Sequence, residues 1–130
     1  RGCNMAALTA DRNTKRRDGD LFSFEAAKTI YAGALVAINA DGKAVPATAT
    51  GTVCAGVAQH QAAAGESVLV RRGVFGFGDA ADAAALTRAD IGTTAYVADD
   101  QTVKKAAGTP AAPAAGIVVD VDAEGVWVRI

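Results

Sequence analysis

The stretch "SVLVRR", residues 67–72, returns near the end of the chain as "GVWVRI", residues 125–130. Both are apolar runs of period two with an arginine at the same place, the pattern of a half-buried strand. The correspondence extends upstream. With Gly33 set against Gly92, "GALVAINADGKAV" runs beside "GTTAYVADDQTVK", and "AGVA" at 55–58 falls beside "AGIV" at 115–118. Each half reads as a hairpin, an apolar strand, a turn and an apolar strand. The expectation is one β-rich domain over residues 21–130 with a weak internal duplication, about 33–72 and 92–130. Two similar β units would then supply the halves of one sheet system and close edges that neither could close alone.

The punctuation between strands supports this. "LFSFE" at 21–25 alternates, and Asp-Gly in "ADGK" at 40–43 separates two apolar runs, a strong hairpin signal. A second hairpin is expected at "DAEG", residues 122–125. In "SVLVRRGVFGFG" Val68 and Val70 share a face, continued by Val74 and Gly76 after a change of register at "RRG"; Gly73, Gly76 and Gly78 suggest a bend or bulge in a small closing sheet. One helix is predicted, over "DAADAAALTRAD" at 79–90, with Asp79 as its cap and Arg88 near its C-terminal end. It is short enough to depend on tertiary packing. Alanine supplies 32 residues of the chain against seven aromatics, so little apolar area is buried per residue and oligomerisation would be one remedy.

Residues 1–20 stand apart. They lack apolar periodicity, and they hold five basic and three acidic side chains. They read as an extended N-terminal arm or a free tail. "RGCN" at 1–4, ahead of Met5, reads as a remnant of upstream sequence outside the fold. Leu8, Arg12, Lys15, Arg16 and Arg17 are the candidate contact residues of the arm, from their charge and absence of core pattern. "TKRR" could touch nucleic acid or an acidic protein surface, but "DGD" beside it makes a weak patch. With 13 basic and 14 acidic residues in the chain, the total gives no sign of a nucleic-acid binder.

The residues carry no catalytic constellation. His60 is the only histidine and lies between glutamines, in the manner of a surface or interface residue. Cys54, within "TVCAGVA", reads as a small buried hydrophobe, and no Cys or His cluster has metal-ligand spacing. "GVFGFG" lacks the lysine and following helix of a phosphate loop, and "DVDAE" and "ADD" lack the ligand spacing of a calcium loop, so they read as turns. No catalytic residue, metal or cofactor is expected, nor a membrane span, because no apolar run approaches about 20 residues.

The order of "GALVAINADGKAVPAT", "GVAQHQAAAGESVLVRRGVF", an alanine-rich segment, "GTTAYVADDQTV" and "AGIVVDVDAEGVWVRI" resembles the capsid cement, or head decoration, proteins of tailed bacteriophages. The likeness covers about residues 20–130 and rests on glycine, alanine and valine patterns, not on catalytic signatures. It implies a small β-barrel or tulip-like body on the outer surface of the phage head. The implied partners are the major capsid protein and further copies of the chain, as a homotrimer, with the arm adding to a sheet edge. A second reading is a particle-displayed β domain that binds carbohydrate or a cell surface. That reading needs an exposed aromatic platform, for which Trp127 beside Tyr31 or Tyr96 is the candidate.

Overall fold

The computed structural model describes residues 7, 9–13, 19–50, 53–108 and 111–130. The strands are β1 (Leu21–Glu25), β2 (Leu35–Ile38), β3 (Ala44–Pro46), β4 (Val53–Ala58), β5 (Ser67–Arg71), β6 (Val74–Asp79), β7 (Thr94–Val97), β8 (Thr102–Lys104), β9 (Ala114–Asp122) and β10 (Gly125–Arg129). The fold is mainly β, as expected, and it contains a closed five-stranded barrel in the order β10-β6-β8-β7-β9. The first five strands form a sheet ordered β1-β5-β4-β2-β3. A parallel bridge between Ala26 and Ala44 joins the ends of that sheet, with Ala27 N–H donating to the Ala44 carbonyl at 2.8 Å. It is therefore a second ring, closed at one point.

The two rings share one pairing scheme. β1 pairs antiparallel with β5 as β6 does with β10, and β2 with β4 as β7 does with β9. The Ala26–Ala44 bridge stands where Asp79 of β6 runs parallel to Val103 of β8. Registers agree as well: Phe24 faces Val68 as Phe77 faces Val126, and Ser23 faces Leu69 as Gly76 faces Trp127. Even the irregularity recurs, since β2 slips against β4 between Val36 and Ala37, and β7 against β9 between Ala95 and Tyr96. A glycine sits beside each slip, Gly56 opposite Val36 and Gly116 opposite Ala95. A Cβ on Gly56 would lie 2.6 Å from the Arg71 carbonyl oxygen, and one on Gly116 would collide with the Arg129 carbonyl. Only a residue without a side chain lets the neighbouring strand pass this close.

A five-stranded ring is narrower than the eight-stranded barrels whose bore side chains just fill, so its interior takes small residues. The first ring encloses Ile30, Val36, Val68 and Val70 together with six alanines: Ala26, Ala34, Ala44, Ala55, Ala58 and Ala62. The second encloses Phe77, Ala95, Val97, Val103, Ala115, Val118, Val126 and Val128, and Leu35, Ala37, Cys54 and Val57 join the same cluster from the outer side of β2 and β4. These two strands are thus buried on both faces, which explains why "LVA" and "CAGVA" are continuous apolar runs while "SVLVR" alternates. Leu35 N–H also donates to the Asp100 carbonyl at 2.8 Å, linking the first ring to the β7–β8 turn.

Three local expectations meet the structure differently. Both hairpin turns form: Asn39 Oδ1 accepts the N–H groups of Asp41 and Lys43 at 3.0 Å, and Asp122 Oδ1 accepts that of Glu124 at 2.8 Å. In β6 it is Phe77 that is buried, with Phe75 partly buried against the core, while Val74 and Gly76 face outward. The α-helix expected over 79–90 is replaced by two 3-10 turns, Asp82–Ala84 and Arg88–Asp90. Asp79 cannot cap a helix because it ends β6, where its Oδ1 instead accepts the N–H of Leu86 at 2.8 Å. Asp82 has φ 56°, outside the right-handed helical region, and Lys105 N–H takes the Ala84 carbonyl. Arg88 reaches across to Asp120 Oδ1 and the Val121 carbonyl, both at 2.8 Å. Pinning Leu86 into the core overrides the weak helix preference of so short an alanine run.

Gly56→Ala and Gly116→Ala should each lower the urea midpoint, by about 1–3 kcal/mol in stability, because strand carbonyls must move aside. Gly19→Ala, with nothing within 4 Å of the new methyl, should stay within about 0.5 kcal/mol.

Candidate interaction surface

Asp20, just before β1, is held to the end of β5. Its carbonyl accepts Arg72 N–H at 2.7 Å, and its carboxylate lies 3.2 Å from Arg71 Nη1, an exposed pair worth little by itself. Together these bonds fix the start of β1 against the end of β5. Of the five candidate arm residues, Arg12 is exposed; Leu8, Lys15, Arg16 and Arg17 lie outside the described residues. Beside the junction, the outer face of β1 and β5 carries Leu21 at 37% exposure and Leu69 at 40%, with Leu21 opposite Arg71. From Leu21 to Glu25, β1 is paired only with β5, so its other edge has no strand partner among the described residues. An open edge with two exposed leucines and an arginine, at the root of a basic segment, is suited to pairing with another chain. Sequence reading missed Leu21, Leu69 and Arg71, because only the β1–β5 register shows that they share an outward face.

His60, itself exposed, holds the backbone of this face. Its Nε2 accepts Leu69 N–H at 3.1 Å, and Nδ1 lies 3.0 Å from the Gln61 carbonyl, which it meets as the donor in the neutral ring. Both ring nitrogens hold backbone, a positioning task for the 60–62 turn and not the geometry of a general base.

A different surface lies on the second ring. Gly76, Phe77, Gly78, Gln101, Glu124, Gly125 and Trp127 line an open groove of about 370 Å³. Trp127 is half-buried there, and its indole N–H donates to Asp122 Oδ2 at 3.0 Å. Neither Tyr31, 62% exposed on the first ring, nor Tyr96 lines the groove, so the aromatic cluster considered for Trp127 does not assemble. Asp122 is held below the ordinary aspartate range, first by the Glu124 N–H and then by the indole N–H.

Among the described residues reactive groups do not come together. Among the described residues no three His, Cys, Asp or Glu side chains are placed to hold a metal. Asp99 and Asp122 close turns, and Asp120 binds Arg88. Cys54 is a buried thiol whose pKa burial pushes up to about 11, the behaviour of a packing residue and not of a nucleophile. Among the described residues no helix is long and apolar enough to cross a membrane.

An open strand edge and an apolar patch beside an arginine are features suited to contact with another macromolecule. Residues 11–72 match the family model of the phage cement proteins. That span includes the whole first ring, and the resemblance read from the sequence is shown over it. The match supports a structural role at the phage capsid. No curated protein and no solved structure matches the chain.

Two titrations test these environments. The folded thiol of Cys54 stays neutral where an unfolded one ionises, so between about pH 9 and 11 stability should fall as pH rises, by roughly 2 kcal/mol more than in Cys54→Ala. Asp122 has the opposite sign: its lowered pKa keeps the indole acceptor charged until pH drops below the ordinary aspartate value. The emission of Trp127 should therefore change only in strong acid, and Asp122→Asn should show the acid-form spectrum at neutral pH.

Proposed function

We propose that this protein is a capsid cement protein, which binds the outer surface of the expanded phage head and holds neighbouring major capsid protein subunits together. The observation that carries the reading is the coincidence of the family match with the arm and first ring, the same part of the chain that has the open β1 edge. In this reading the arm lies along the shell through Leu8, Arg12, Lys15, Arg16 and Arg17, while Leu21, Leu69 and Arg71 dock at its root. Ordering an arm on binding costs entropy, but it lets a small body reach across a joint between subunits. Each contact can be weak, because identical contacts repeated over a closed lattice add up. The protein acts as a homotrimer at three-fold positions, with no nucleic acid or membrane partner. The repeated pairing scheme supports a body built by duplication of one five-stranded unit, with the first copy turned to the capsid.

Co-sedimentation with expanded, undecorated capsids should give saturable binding at a fixed copy number per capsid subunit. Deleting residues 5–18 should weaken binding at least about tenfold while leaving the circular dichroism melt unchanged. Neutralising Arg12, Lys15, Arg16 and Arg17 to glutamine should flatten the salt dependence of binding. Undiminished binding by the deletion would remove the arm from the contact. No binding by the intact chain would overturn the cement reading, and a monomer at all concentrations in sedimentation velocity would overturn the trimer.

A further inference from the structure

The second ring differs from the first at one place in a way that creates a site. Because the β1–β5 and β6–β10 registers agree, the lining residues of β6 and Trp127 of β10 have counterparts in the first ring. Gly76 stands where the first ring has Ser23, and Trp127 where it has Leu69. Continuing along the same strands, Gly78 falls where the first ring has Glu25, whose carboxylate lies 3.3 Å from Lys43 Nζ. The first ring covers this position with an ion pair and a leucine. The second strips it to two glycines and installs the only tryptophan of the chain.

We infer that the groove at Trp127 is a binding site for a neutral sugar ring, a pyranose. The indole is held in place before any ligand arrives. A methyl at Gly76 would sit 3.5 Å from Cζ2, Cζ3 and Cη2 alike, so the six-membered ring lies against the glycine backbone with one side supported. Its only polar atom is engaged by Asp122, which is itself fixed by Glu124 N–H. What the indole offers a ligand is apolar surface. The rim is polar: the exposed side chains of Gln101 and Glu124 have no hydrogen-bond partner among the described residues. A pyranose pairs one face of C–H groups with an edge of hydroxyls, and matches an aromatic surface bordered by an amide and a carboxylate. A purely apolar ligand would leave that rim unsatisfied, and an anion would meet Glu124 and Asp122. At about 370 Å³ the groove is at the small end of the usual range for small-molecule sites and is open on one side. One sugar should therefore bind weakly, with Kd about 0.1–10 mM, and useful affinity would come from many copies displayed together. This inference does not depend on the capsid reading.

Trp127 alone reports on the groove, since no other tryptophan contributes to emission. The intact protein is titrated with methyl glucoside, methyl galactoside, N-acetylglucosamine and their short oligomers, and separately with choline. The expected result is a saturable change in emission with at least one sugar and none with choline. Gly78→Glu, which places at the groove the side chain that the first ring carries as Glu25, should fold normally by circular dichroism and weaken that binding at least about tenfold. Gln101→Ala should weaken it as well, with the unliganded spectrum unchanged. No response to any sugar up to about 50 mM overturns the inference. So does a response to choline alone, which would make the site one for cations, or undiminished sugar binding by both variants.

Discussion

Closing five strands into a ring leaves a narrow bore, and most features of this chain answer to that constraint. Small side chains must fill the ring, so the first is lined largely by alanine. Strands in so tight a ring must also bend, and the bend is made twice by the same device, a register slip with a glycine against the carbonyl of the next strand in sequence, Gly56 at Arg71 and Gly116 at Arg129. The abundance of alanine, which by composition alone suggests a thin core, is here a matter of fit: a larger residue at Ala44 or Ala58 has no bore to enter.

The two rings share a scheme but divide the work of burial unequally. β2 and β4 of the first ring are covered on both sides, inside by its own core and outside by the cluster that fills the second. Their counterparts β7 and β9 keep one face partly open, with Ile117 exposed where Val57 is buried. The second ring thus stabilises the first by covering it and retains surface for other uses. The open β1 edge belongs to the first ring, and the tryptophan groove belongs to the second. In the proposed cement role, one unit would grip and the other be displayed, a division that a single ring with one covered face could not provide.

Much of the strand pattern was legible because alternation has a period of two whatever the strand pairs with. "VLVR" and "VWVR" became β5 and β10, and Asp-Gly and "DAEG" became turns closed by Asn39 and Asp122. The likeness between "LFSFE" and "VFGFGD" passed unread, because it lies at a spacing of 53 residues while the rest of the chain repeats near 59; the 3-10 segment makes up the difference. The helix misreading has a similar origin. Alanine and aspartate favour a helix locally, but Asp79 was already committed to a strand and Leu86 to the core. For the candidate surface, the sequence marked Arg12 and its neighbours by charge, yet Leu21, Leu69 and Arg71 became a patch only once β1 lay beside β5.

The sequence by itself determined the β class, the turns, the buried character of Cys54 and the likeness to cement proteins, since these follow from local periodicity, turn chemistry and residue pattern. Tertiary structure alone decided that the sheets close into rings and that β2 and β4 are buried twice. It also decided that Trp127 lies half-open over Gly76 and not against a tyrosine. Each of these depends on which strand passes beside which, and alanine and glycine, fitting either face, leave that choice to the packing of the whole.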